Sequence, residues 1–411
     1  MSAPVSVSTA PTVSAMSPAL IVLLLSLLLG LQPITTDLYL PALPALTEGF
    51  GATLAQAQLT LTALLLSFGL SQLVWGPLSD RFGRRPILLW GLGAYVLAST
   101  ACTLAPSMEW LIIARIVQGA AMGAGVMCAR AIVRDLYRPV EGARMMSKGL
   151  TGLGITACLS APLGGLLSDW MNWRVALLTL TVFSVVTLAV VALRFEETLT
   201  QKNPQALQPA TLLATWGAIL RNPTFWAFSA LSTASYGGLF TFLAASSFIF
   251  IQVLQIPKSQ YGLLMFTVSF AYILGTLICR RLLPRWGVRR TVAIAGGFTL
   301  AGGTLMGVLA LAGLHNGWAI MLPYYLFMLA HGVHQPCGQS GAVGPFPYAA
   351  GAAAALNGFL MMAAAFAVGG WLGTHMDGTV MPLVYGVWFW SVVIAVSAWT
   401  LVQKHGQTGD H

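Results

Sequence analysis

Charge is what this sequence has least of. Only 8% of its 411 residues are Asp, Glu, Lys or Arg, against about 25% in a typical soluble domain. With 57% hydrophobic residues beside them, so few polar groups could not cover a water-soluble surface, and a soluble globular chain is excluded. The eleven acids lie mostly between apolar runs and do not form the cluster that a membrane enzyme needs. No GxxxxGK[ST] segment occurs, which argues against ATP as a driving force. The five cysteines (Cys102, Cys128, Cys158, Cys279, Cys337) form no CxxC pair and sit in or beside apolar stretches. They read as free buried thiols. Residues 1–17 carry no charged side chain. A secretory signal wants a positive start, so a disordered cytoplasmic tail is expected there.

What the chain has in quantity is continuous apolar sequence. The runs approach twenty residues, the length of a membrane-crossing helix, whereas a transmembrane barrel alternates over segments of about ten. Bounded by Gly, Pro or charge, twelve runs are found. They lie near 18–44, 55–77, 86–104, 110–134, 145–167 and 174–194, then 222–250, 259–280, 291–313, 318–338, 349–373 and 381–402. The sequence therefore predicts an all-α membrane protein with twelve transmembrane helices in two six-helix halves, 18–194 and 221–402. A cytoplasmic linker spans 195–220 and a second cytoplasmic tail 403–411.

The net charge of +9 raises nucleic-acid binding as a reading, but its distribution orients the chain instead. With a cytoplasmic N-terminus, seventeen of the twenty Lys and Arg fall in inside loops, which is the positive-inside rule. Arg174 and Lys258 fall outside, and Arg115 lies within a span. Both termini are then cytoplasmic, in a bacterial inner membrane, and nucleic acid drops out. An internal echo supports the two halves: "RFGRR" at 81–85 returns as "RWGVRR" at 285–290, about 204 residues later. Both stand after the second span of their half. Paired halves are common in transporters that bind cargo near the midplane.

Two charges sit inside apolar runs. Asp37 stands in "TTDLYLP" (Thr35–Pro41), which follows thirteen residues, Ala19–Leu31, of which only Ser26 and Gly30 are not plainly apolar. A charge at the centre of a span costs roughly 2.5–3.5 kcal/mol on insertion scales, so it must be compensated or its proton must come and go. Arg115 cannot discharge. It either snorkels to the outer interface or has Asp37 as a direct or indirect partner. In the tenth span His331 and His334 stand three apart, spacing that fits a metal, a titrating pair or plain packing. Helix seven offers Tyr236, Phe240 and Phe242, an aromatic wall suited to flat lipophilic cargo.

Five stretches carry a resemblance. "GPLSDRFGRRP" (Gly76–Pro86) resembles the signature loop of the major facilitator superfamily almost position for position. "RIVQGAAMG" (Arg115–Gly123) resembles the fourth-span signature of proton-coupled members through Arg115, Gln118 and Gly119. "LGITACLSAPLGG" (Leu153–Gly165) resembles the fifth-span motif of antiporters, with Pro162, Gly164 and Gly165 in place and Ala157 and Ala161 where glycine is usual. "TTDLYLPALPAL" and "ARAIVRDLY" (Ala129–Tyr137) are similar to the bicyclomycin- and chloramphenicol-resistance (Bcr/CflA-type) drug:proton antiporters.

The resemblance implies the major facilitator fold, with Asp37 as proton and cargo determinant and Arg115 as its partner in coupling. It implies a gating loop of Gly76, Asp80, Arg81, Gly83, Arg84 and Arg85, whose Asp80 contacts the eleventh span and favours an outward-open state. Pro284 replaces that Asp in the second half. Some relatives carry another acid two turns before Asp37; Leu29 stands there, so a proton count above one has no second carrier in this span. The cargo-cavity candidates are Tyr39, Gln118, Met122, Tyr236, Phe240, His331 and His334. The expected activity is efflux of small lipophilic antimicrobials by a monomer in the lipid bilayer, exchanged for protons and needing no cofactor or metal. The rivals are a transporter of a physiological metabolite and a non-transporting sensor or scaffold. The latter calls for an appended soluble domain that the short linker does not supply.

Overall fold

A computed structural model of the protein describes residues 16–137, 139–204, 206–346 and 349–406. Every regular element among them is helical, and ten helices are long and apolar enough to cross a bilayer. Two further observations bring the number of crossings to twelve. Lys258–Leu311 has 54 residues, about 81 Å at 1.5 Å per residue, far too long for a single crossing of a hydrocarbon core about 30 Å thick. It breaks at Gly287, with φ 68° and ψ 175°, into two arms. Gly317–Val343, with 27 residues, has the length but not the apolar composition. It carries two prolines, both histidines, Gln335 and Gln339.

The crossing helices are α1 (Pro18–Asp37), α2 (Leu54–Phe82), α3 (Arg84–Thr103), α4 (Met108–Leu136), α5 (Pro139–Trp170) and α6 (Trp173–Arg194). They continue with α7 (Pro223–Phe248), α8 (258–286), α9 (288–311), α10 (Gly317–Val343), α11 (Ala350–His375) and α12 (Met381–Val396). Side-chain caps start α2, α4, α6 and α10: Thr53, Ser107, Asn172 and Asn316 each accept a backbone N–H. These groups satisfy donors that the first helical turn leaves unpaired.

Packing follows the two halves. α4 lies against α1, α2 and α3, and α1 against α5; α7 lies against α10, α11 and α12. The halves meet along two seams, α2 with α11 and α5 with the Lys258–Leu311 helix. In a repeat of six, α2 corresponds to α8 and α5 to α11, so one pseudo-two-fold axis relates both seams. The sequence echo has a backbone counterpart. Gly83 (φ 109°, ψ 162°) and Gly287 (φ 68°, ψ 175°) take the same glycine-favouring turn between the second and third helices of their halves.

Polarity is inverted relative to a soluble protein. Leu97, Leu193, Phe270 and Phe389 are 60–80% exposed on the outside, while Arg84 and Arg115 are fully buried. That surface belongs in hydrocarbon.

The ends differ from expectation. Met16 is buried and its sulfur accepts the Glu196 N–H, and Ser17 caps α1, so both belong to the folded body rather than to a tail. So do Gln403, Lys404 and His405, because Gln403 bonds the Arg289 carbonyl and the His405 carbonyl accepts from Thr224. The linker holds a helix, Pro209–Leu220. Residues 1–15 and 407–411, Arg138 and the Arg144 side chain lie outside the described residues.

Candidate functional site

Between the halves lies a cavity of about 660 Å³. Its α5 wall runs from Met146 to Ala161, about 22 Å at the helical rise. One end is walled by Arg130, Ser340 and Val343, near the helix ends that bear the basic loops, and Gln339 and Ser340 are exposed there. The other end is shut. A Cβ on Gly164 would stand 2.1 Å from the Leu38 carbonyl oxygen, and one on Gly165 would stand 2.5 Å from that of Lys258. Pro162 packs so closely on Gly262 that a Cβ there would be 2.8 Å from its Cα. The Pro-x-Gly-Gly run thus seals α5 against both α1 and α8. Gln58 Nε2 adds a 2.8 Å bond to the Ala244 carbonyl, from α2 to α7. The molecule is open on its basic face and closed on the far face.

Asp37, the last residue of α1, looks into the deep end of this cavity and is half-buried. Thr36 Oγ1 donates to its Oδ1 at 2.8 Å, and no cation among the described residues pairs with it. It lies at the negative end of a helix dipole, which adds nothing to compensate its charge. Tyr236 and Cys158 line the same cavity.

Arg115 makes no direct pair with Asp37, which removes the direct pairing expected from sequence and leaves the indirect one. Arg115 Nη1 donates to Gln118 Oε1 at 2.8 Å and to the Thr35 carbonyl at 3.3 Å. Its guanidinium lies 3.9 Å from the Tyr39 ring centroid, a cation–π contact, and Nε and Nη2 have no hydrogen-bond partner among the described residues. The reason is helical geometry. Residues two apart on a helix point about 200° away from each other, so Thr35 faces α4 while Asp37 faces the cavity.

Five other candidates also sit elsewhere. Tyr39, Gln118 and Met122 are fully buried under α1 and α3, where Tyr39 bonds Thr60 at 2.8 Å and Gln118 bonds Ser99 at 2.8 Å. Val126 and Arg130, further along α4, line the cavity instead. On α7 the wall is Tyr236, Leu239 and Leu243, and Phe240 stands buried beside it. His331 lines the cavity with Nδ1 2.8 Å from Ser235 Oγ. His334 turns away to Thr299 on α9, at 3.1 Å, so the two histidines do not converge on one ligand. The sequence reading missed Arg130 and the wall amides Gln32, Gln72, Gln335 and Asn357. Their signal was an amide or cation inside an apolar span, which is costly unless it faces a cavity or partner.

Residues 25–370 match the sequence profile of the Major Facilitator Superfamily. The chain belongs to that superfamily. It is 29% identical over 407 residues to a chloramphenicol resistance protein of Pseudomonas aeruginosa, covering 96% of this chain and 94% of that one. It is likewise 29% identical over 340 residues to multidrug resistance protein D of Escherichia coli (strain K12), covering 83% and 85%. Among solved structures, a D-xylose–proton symporter superposes with a TM-score of 0.74 over 95% of this chain and 99% of that one, at 16% identity. The protein is a multi-pass secondary transporter of this superfamily and not an enzyme.

The superfamily's signature loop is built here around Arg84. Its Nη1 donates to Asp80 Oδ1 at 2.7 Å and to Ser79 Oγ at 2.6 Å, and its Nε donates to Asp135 Oδ2 at 2.8 Å. Asp80 also meets Arg134 at 3.4 Å. In this basic-face-open form the Asp80 carboxylate is therefore satisfied within the first half. The contact with the eleventh span, α11, that the resemblance implies is not made among the described residues. Gly76 faces Met127 of α4, where a Cβ would stand at an ordinary 3.5 Å, and Arg81 is exposed over the Phe82 ring. Arg85 donates to the Phe195 and Ala192 carbonyls at the end of α6. Glu197 caps α3 by accepting the N–H groups of Arg84 and Arg85 at 2.9 and 3.1 Å.

Gly83 is required twice over in this loop. Its φ of 109° disfavours a side chain, and a Cβ would stand 2.4 Å from Glu197 Oε2. Gly83→Ala is expected to cost roughly 1–3 kcal/mol through strain and loss of the cap. It should appear as a lower thermal midpoint of the detergent-solubilised protein. An unchanged midpoint would show that Glu197 is not held against the loop.

Proposed function

We propose that this transporter exports small, lipophilic antimicrobials in exchange for protons by alternating access, with the basic face in the cytoplasm of a bacterium and the membrane its plasma membrane. The observation that carries the reading is a carboxylate, Asp37, with no ion-pair partner among the described residues, at the closed end of a cavity between two halves. A carboxylate that meets both cargo and proton, with no resident cation, can hold one at the expense of the other. A hydrogen-bond donor on the cargo is held most strongly by the charged carboxylate, and a bound proton removes that acceptor. Arg115 acts on it through α1, by fixing the Thr35 carbonyl two residues before the helix end. The mostly apolar cavity walls suit lipophilic cargo. The named activities of the two bacterial relatives, chloramphenicol resistance and multidrug resistance, point the same way. The membrane potential contributes about 2.3 kcal/mol per charge per 100 mV when neutral cargo leaves against an entering proton.

The test is proton movement in inverted membrane vesicles. Energised vesicles containing the protein should release protons from their interior when chloramphenicol or another lipophilic antimicrobial is added, and vesicles lacking it should not. Proton movement on adding a single polar metabolite, with none on adding any drug of a panel, would replace this reading with metabolite transport.

A further inference from the structure

Among the described residues, Arg130 is the one Lys or Arg side chain that lines the cavity, and Asp37 the one Asp or Glu. They stand at opposite ends, Arg130 toward the open basic face. Its two arginine neighbours are both engaged: Arg84 holds Asp80 and Asp135, and Arg134 reaches the same two carboxylates. Arg130 makes no ion pair or hydrogen bond among the described residues. Arg134, one turn on, meets Asp80 and Asp135 instead. The facing wall at this level is Gln339 and Ser340, which are polar but neutral. Gln339 Nε2 is occupied by Gln335 Oε1 at 2.9 Å.

An arginine cannot discharge, and a partly dehydrated cation without a partner is costly. Bound cargo removes that cost when it brings an anionic or oxygen-rich end, because guanidinium hydrogen bonds to such oxygens are charge-assisted. A lipophilic cation meets repulsion at the same point before it reaches Asp37.

The geometry points to Arg130 as a charge filter at the cavity mouth. It selects lipophilic acids and neutral molecules bearing clustered acceptor oxygens (carboxylate, sulfonyl or nitro groups), and it turns away lipophilic cations. The inference rests on the cavity being the cargo path, as proposed above. It adds the substrate class that the mouth admits.

Equilibrium binding tests it apart from proton coupling. The purified full-length protein in detergent is dialysed against labelled tetraphenylborate or tetraphenylphosphonium, hydrophobic ions of nearly the same size and opposite charge, with protein-free micelles as the blank. Wild type should bind the anion at least tenfold more tightly. Arg130→Lys should keep the preference, Arg130→Gln should lose it, and Arg130→Glu should reverse it. Gln339→Glu puts a carboxylate on the facing wall and should also abolish the preference with Arg130 intact, which covers the case of an Arg130 variant that does not fold. Equal binding of the two ions by wild type, no binding of either, or a preference that survives both Arg130→Gln and Gln339→Glu would overturn the filter. A preference that behaves as stated, in a protein whose vesicles show no drug-driven proton release, would leave the filter standing and remove the export reading.

Discussion

Asp37→Asn should reduce drug-driven proton release in inverted vesicles to the level of vesicles without the protein, a loss of tenfold or more. The substitution is close to isosteric, and the asparagine Oδ1 can still accept the Thr36 hydroxyl bond now made at 2.8 Å. The end of α1 is held independently by Arg115 on the Thr35 carbonyl and by Tyr39 on Thr60. What disappears is the capacity to take up and give back a proton facing the cavity. A second readout fixes the sign. If cargo and proton compete at Asp37, wild-type affinity for a neutral drug rises as pH rises, because fewer molecules carry the proton. In Asp37→Asn the affinity should be flat across the same range. Drug binding in the variant should persist, since most of the wall is apolar and untouched. Persisting proton release in Asp37→Asn would remove Asp37 from the centre of coupling. His331, which lines the same cavity and is fixed by Ser235, would then be the next group to replace.

The number of crossings and the two-half arrangement were legible because they depend on features written locally. Apolar run length decides what can cross a bilayer, and the Gly83/Gly287 pair marks equivalent turns by a residue type that the backbone demands. That Asp37 would face a cavity was legible for a similar reason, as an acid ending an apolar run is costly unless something other than lipid meets it. Which side chains share the cavity was not legible. Arg115, Gln118 and Met122 stand on the far half of α4, and they are buried by the packing of α1 and α3, through contacts such as Arg115 with Thr35 and Gln118 with Ser99. Arg130 and Val126, on the same helix, reach the cavity because the basic face is open in this state. A conformation-dependent lining cannot be read from helical periodicity, which is identical for the open and closed forms. The partners of the signature loop were hidden too. Asp135 and Glu197 lie 51 and 113 residues from Arg84, and nothing local to either announces the contact.

That loop yields the largest expected effect on stability. Arg84→Met should lower the stability of the solubilised protein by on the order of 3 kcal/mol, the low end of what removing one partner of a buried pair costs. The Arg84 side chain is 1% exposed and that of Asp135 10%, so the variant strands a carboxylate with little water to receive it. What remains to Asp135 is Arg134 at 3.8 Å and the Thr198 hydroxyl at 3.4 Å. Asp80 counts for less, being 41% exposed and still in reach of Arg134. Arg84→Lys should fall between, because a single ammonium cannot supply the planar fork that holds two carboxylates and Ser79 at once. The decisive variant is Arg84→Met with Asp135→Leu. Replacing both partners by apolar groups removes the stranded charge, so the double variant should regain much of the thermal midpoint that Arg84→Met loses. Two independent losses that simply add would mean that each side chain contributes through packing alone. The ion pair would then not be what ties the start of α3 to the end of α4.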